Sequence, residues 1–112
     1  MSQDKSRLSP SEVQDLRSLV TPTEGSIVSR VLAKNDAGTV TLFAFDTEQA
    51  LSEHSAPFDA LVQCVEGRID ITIAGKPYPL QAGQVVLMPK DVPHAVHAPE
   101  PCKMLLVMLR GS

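Results

Sequence analysis

The sequence predicts a single all-β domain with one short helix at its N-terminal end. Three observations predict it. Between Ala60 and Met88 the chain is a series of short apolar runs broken at Gly67, Gly75 and Gly83, where a residue free to adopt positive φ suits a tight turn. Within that stretch Ile69, Ile71 and Ile73 alternate with Asp70 and Thr72, the two-residue period of a strand with one face on a core. The C-terminal run Cys102 to Arg110, CKMLLVMLR, is apolar without interruption from Met104 to Leu109, as in a strand covered on both faces.

In chain order, residues 1–7 are polar and charged, and an unstructured tail is expected. Ser9-Pro10-Ser11-Glu12 then reads as a helix start, with Ser9 as N-cap, Pro10 at the first helical position and Glu12 closing a capping box. Leu8 and Val13 flank it as a hydrophobic staple. The helix is expected from Pro10 to about Leu19, with Val13, Leu16, Leu19 and Val20 on one face that covers the outside of the domain or a partner subunit. Residues 1–25 form tail and helix, and residues 26–112 form the β domain.

Ser26 to Lys34 carries Ile27, Val28, Val31 and Leu32 without strict alternation, which predicts a bulged strand. Asn35-Asp36-Ala37-Gly38 is a turn. Val40 to Phe45 is a strand whose two faces are both largely apolar. Asp46 to Pro57 is a polar loop carrying His54. Further strands are expected at Ala60 to Glu66, Arg68 to Ile73, from the hairpin turn Ala74-Gly75-Lys76 to Leu80, and at Gln84 to Met88. Pro89-Lys90-Asp91-Val92-Pro93 is a rigid turn into a strand from His94 to Ala98, and Cys102 to Arg110 ends the domain.

A chain of 112 residues with 43% hydrophobic content supports one domain and one modest core. The net charge of −3 with interspersed signs, and no Lys/Arg run, excludes the electrostatic footprint of nucleic-acid binding. Met1 to Val20 lacks an apolar core of signal-peptide length, and no segment has the roughly 20 apolar residues of a membrane span, so a cytoplasmic location is expected. Cys64 and Cys102 lie in strand-like runs without ligand spacing and are expected as buried free thiols.

The spacing Gly83, Pro89, His94 in GQVVLMPKDVPH, with Val65-Glu66-Gly67 before it, resembles the two motifs of the cupin superfamily over roughly Gly38 to Arg110. The resemblance implies a double-stranded β-helix, or jelly-roll barrel, with a site in its interior. It also implies metal ligands at His54 and His94. The second histidine of the usual pair falls on Ala56 and the usual glutamate on Ala60, while Asp91 and Ala98 replace a glycine and an asparagine of the second motif.

If His94 points inward as in that family, strand parity sends Val96 and Ala98 in with it and His97 out. Ala60, Val62 and Cys64 likewise face in. The interior is then lined by Phe43 or Leu42, Val62, Cys64, Val86, Met88, Met104 or Leu105, and His94, an apolar pocket of small-molecule type. His54 and His94 are two neutral ligands where a metal needs a third, so no tight site and no resident cofactor are expected, and at most a weakly held divalent metal. The expectation is a binding, sensing or accessory module for a small molecule, with site residues His54, Val62, Cys64, Val86, Met88, His94 and Met104. The alternative is a metal-dependent enzyme of dioxygenase, isomerase or decarboxylase type, using His54, His94 and an unidentified third ligand. A homodimer through the outer β-surface is expected, because a barrel has one inside and these strands have two apolar faces.

Overall fold

The computed structural model describes residues 7–111, so all but Arg7 of the tail expected at residues 1–7 lies outside the described residues. Nine strands follow in order: β1 (Ile27–Asn35), β2 (Gly38–Phe45), β3 (Ala50–His54), β4 (Asp59–Glu66), β5 (Arg68–Ile73), β6 (Lys76–Gln81), β7 (Val85–Met88), β8 (His94–His97) and β9 (Cys102–Leu109). They form a five-stranded sheet in the order β1-β2-β9-β4-β7 and a four-stranded sheet in the order β3-β8-β5-β6, all antiparallel. This is the jelly-roll barrel.

Register sorts the side chains. Across the larger sheet the inward rows are Phe43, Met104 and Cys64; then Thr41, Leu106, Val62 and Val86; then Thr39, Met108, Ala60 and Met88. Ile69, Ile71, Ile73, Leu80 and Val96 meet them from the smaller sheet in one core. Phe43 and Met104 are therefore the interior residues, and Leu42 and Leu105 pack on the outside. The bulge predicted in the first strand lies between Val31 and Ala33 and buries Leu32 on that outer face.

Two glycines are dictated by close approach. At Gly38 a Cβ would stand 2.2 Å from the Met108 carbonyl oxygen, where β2 runs beside the end of β9. Gly67 turns the chain from β4 to β5 at φ +76°, and a Cβ there would lie 2.7 Å from the Pro101 carbonyl oxygen.

The expected helix from Pro10 to Leu19 is not formed. Its only helical piece is a 3-10 turn, Leu16–Ser18, capped by Asp15, whose side chain accepts from the Arg17 N–H. Ser11 takes φ +61°, which no right-handed helix allows, and Glu12 accepts from the Gln14 side chain at 2.6 Å instead of closing a box with Ser9. Val13, the intended staple residue, is 99% exposed. A ten-residue helix is marginal by itself, and only Leu16, Leu19 and Val20 find a surface to cover. The segment is instead an extended strap across the outer face. It is tied by the Leu8 N–H to the Leu32 carbonyl at 2.8 Å, by the Arg30 side chain to the Leu19 carbonyl at 3.4 Å, and by the buried Lys103 ammonium to the Arg17 carbonyl. Lys103 also meets Glu66 at 3.3 Å.

The polar loop expected from Asp46 to Pro57 is likewise corrected, since Ala50–His54 is strand β3, paired with β8. It is an edge strand with exposed Ser52 and Glu53, and a register shift between Leu51 and His54 hides its period.

The free edge of β6 is closed by its sequence. The Ala74 N–H donates to the Pro93 carbonyl, so even-numbered residues of β5 bond toward β8 and odd ones toward β6. Positions 77, 79 and 81 of β6 then face solvent. Pro77 and Pro79 carry no N–H, and the Gln81 N–H donates to the Gln84 side chain at 2.9 Å. No outward donor is left over those positions for another strand to use.

Candidate functional site

One end of the barrel brings together the two histidines that the sequence separates by forty positions. His94 opens β8 and is buried, 6% exposed; His54 closes β3 and stands exposed at the rim. The rigid turn before His94 is held by the Asp91 N–H donating to the Ala56 carbonyl at 2.7 Å. The two Nε2 atoms are 3.2 Å apart, with the rings edge to face at 74° and centroids 4.4 Å apart.

The protons follow from the partners. His54 Nδ1 lies 2.8 Å from the Ser52 carbonyl, an acceptor only, so Nδ1 carries the hydrogen and Nε2 presents its lone pair. His94 then donates from Nε2 to His54 Nε2, leaving its own Nδ1 as a buried nitrogen without a hydrogen-bond partner. Burial, and next the neighbouring His54, hold His94 below the usual histidine range, with the backbone of Val92 pulling the other way. The pair is a hydrogen-bonding couple reaching from solvent to the core.

The donor set does not fit a catalytic metal. Two nitrogens 3.2 Å apart could share an ion, but among the described residues no group of three His, Cys, Asp or Glu side chains converges. Asp59 accepts the Lys90 N–H at 2.9 Å, Glu53 is exposed on the edge strand, and the buried Cys64 thiol donates to the Gly67 carbonyl at 3.3 Å. Ala60, at the position of the usual carboxylate, is buried opposite Met88 and Met108.

Of the other expected lining residues, Val62, Cys64 and Met104 are fully buried within the packed middle of the core, and Met88 lies beside Ala60 toward the histidine end. Val86 lines a concavity of about 510 Å³ between the edges of β6 and β7, with Tyr78 and Leu80. His97 faces outward as parity predicts and meets Glu48 at 3.1 Å and Asp70 at 3.8 Å. Cys64 and Cys102 are free and buried; burial pushes both thiols up, Cys102 to about 12. A second concavity of about 470 Å³, lined by Phe58, Asp59, Lys90 and Arg110 among others, had no signal in the sequence, because three distant segments build it.

No helix among the described residues is long and apolar enough to cross a membrane.

Comparison with known proteins agrees with this architecture. Over 81 residues the chain is 32% identical to the polyketide synthase CurC of Streptomyces cyaneus, covering 71% of this chain and 47% of that protein. It is 31% identical to protein SchB of Streptomyces halstedii over 81 residues, covering 71% and 53%. The chain thus spans about half the length of the curated relatives it matches. Among solved structures, the SPY1581 protein of unknown function from Streptococcus pyogenes superposes with a TM-score of 0.89 at 33% identity, covering 100% of this chain and 97% of that one. A cupin superfamily protein from Desulfitobacterium hafniense gives 0.86 at 27% identity, covering 93% and 95%. Residues 41–108, from the second strand to the last, match the family described as Cupin domain, and the chain belongs to that family.

Proposed function

We propose that this chain is a non-enzymatic binding, sensing or accessory module that takes a small, mainly apolar molecule at the histidine end of the barrel. The carrying observation is the imidazole couple itself, one ring exposed and one buried, with alanine at both remaining ligand positions and, among the described residues, no third ligating side chain beside it. Such a couple leaves the buried His94 Nδ1 as an acceptor for a ligand hydroxyl that reaches it, while Met88, Met108 and Ile73 offer an adaptable apolar surround. A relative named polyketide synthase makes phenolic, polyketide-like molecules the first class to try. Titrating the isotope-labelled protein with 1-naphthol is expected to move the ring resonances of both histidines in a saturable way, and His94→Ala to abolish the response. Unmoved ring resonances in the wild type would sink the proposal.

The second reading, a metal-dependent enzyme of dioxygenase, isomerase or decarboxylase type, is favoured by the 3.2 Å nitrogen separation, near that of two ligands bound to one ion at about 2.1 Å. Near-stoichiometric metal surviving dialysis against a chelator, lost in His94→Ala, would select it over the first.

We also propose that a second copy covers the outer face of the five-stranded sheet. Val40, Val107, Leu61 and Leu87 lie side by side across four strands, with Leu42, Leu105 and Val85 in the next row and Leu109 beyond. The strap covers only the Leu42 and Leu105 end.

A further inference from the structure

We infer that the concavity framed by Phe58, Lys90 and Arg110 is a second binding site, separate from the histidine couple, for a small organic acid with one carboxylate and a compact apolar body. Three segments far apart in sequence build it: the link from β3 to β4, the turn from β7 to β8, and the chain after β9. Its volume of about 470 Å³ lies within the usual range of small-molecule sites.

Both cations are positioned. The Arg110 N–H donates to the Ala37 carbonyl at 2.7 Å, and the guanidinium stands over the Phe58 ring, 5.5 Å from its centroid. Lys90 leaves a turn stiffened by Pro89 and Pro93, and its N–H is held by Asp59 Oδ1 at 2.9 Å. Neither side chain has an ion-pair partner among the described residues, in a protein of net charge −3. Unpaired cations that share a concavity attract an anion, and the guanidinium fork matches a carboxylate. Asp59 is the one acidic group on the lining, so the site carries a formal charge of about +1, which suits a monocarboxylate better than a phosphate dianion. Pro57, Phe58 and Leu109 supply the apolar walls for the body of the ligand.

The test is an NMR titration of the labelled full chain with benzoate, following the Phe58, Lys90 and Gly111 amides and the histidine rings. The three amides are expected to shift saturably with a dissociation constant on the order of 1 mM, as for a fragment of this size. Arg110→Gln and Lys90→Gln, both near the surface, are each expected to weaken binding about tenfold with unchanged circular dichroism. Benzyl alcohol, of the same size without the charge, is expected not to saturate. Absence of saturable shifts, benzyl alcohol or inorganic phosphate binding more tightly than benzoate, or wild-type affinity in both variants would overturn the assignment. So would shifts confined to the histidine rings, which would put benzoate at the couple and leave the first proposal standing.

Discussion

His94 shows how one buried ring ties the site to stability. Its folded pKa lies below its ordinary value, with burial as the largest cause, so the unfolded chain binds a proton first as the solution is acidified. Its contribution is fully present above the ordinary histidine value of about 6.5 and is lost as pH falls through the lower folded value. Urea midpoints measured from pH 8 to pH 5 are expected to fall below about pH 6.5, with a slope from this residue of at most about 1.4 kcal/mol per pH unit. His94→Gln should flatten that part of the profile; an unchanged profile would refute the assignment. The two cysteines give a second residue-scale prediction. Because both thiols are fully buried and held protonated, a thiol reagent at neutral pH should label neither in the native protein and both after denaturation. In the core, Phe45→Ala is expected to cost about 3–5 kcal/mol by calorimetry, since the ring is wholly buried between the sheets.

Among the elements, β6 is the clearest case of sequence guarding a strand. Pro77, Pro79 and the Gln84 amide remove three outward donors from an edge flanked by exposed Tyr78 and Val85. Replacing both prolines with threonine and Gln84 with alanine should restore those donors and produce concentration-dependent aggregation by light scattering. A triple variant as soluble and monodisperse as the parent would show that the edge needs no such protection. The strap illustrates the opposite outcome. Its capping signals are real at the level of local chemistry, yet bonds to the outer sheet face outweigh a short helix that has only a few apolar residues to bury. No local rule contains that competition.

Over the whole molecule the unsettled surface is the outer sheet face. With the Leu42 and Leu105 row under the strap, four strands about 4.8 Å apart and two rows about 6.8 Å apart leave a plateau of roughly 260 Å² per copy. Two copies would bury about 520 Å², below the roughly 1,000 Å² of a stable specific interface. A weak dimer that dissociates on dilution below the high-micromolar range is therefore expected. Light scattering should approach twice the 12.1 kDa chain mass at high concentration, and Leu61→Asp with Val107→Asp should hold it at one mass. A wild type that stays monomeric across the range would refute the second copy as the cover.

What the sequence determined by itself was whatever depends on neighbours along the chain. Alternation at Ile69, Ile71 and Ile73, the glycine breaks, the hairpin at Ala74-Gly75 and the outward turn of His97 all follow from a period of two and from turn chemistry. The motif spacing around Gly83, Pro89 and His94 was equally local, and with it came the family. Tertiary structure decided what depends on residues far apart. It chose Phe43 over Leu42 and Met104 over Leu105 for the interior, because both rows are apolar and only register across β2, β9 and β4 tells them apart. It made a strand of Ala50–His54, brought two imidazoles to 3.2 Å, and gathered Phe58, Lys90 and Arg110 around one concavity. These are products of closing two sheets on each other, and a linear pattern holds no measure of that distance.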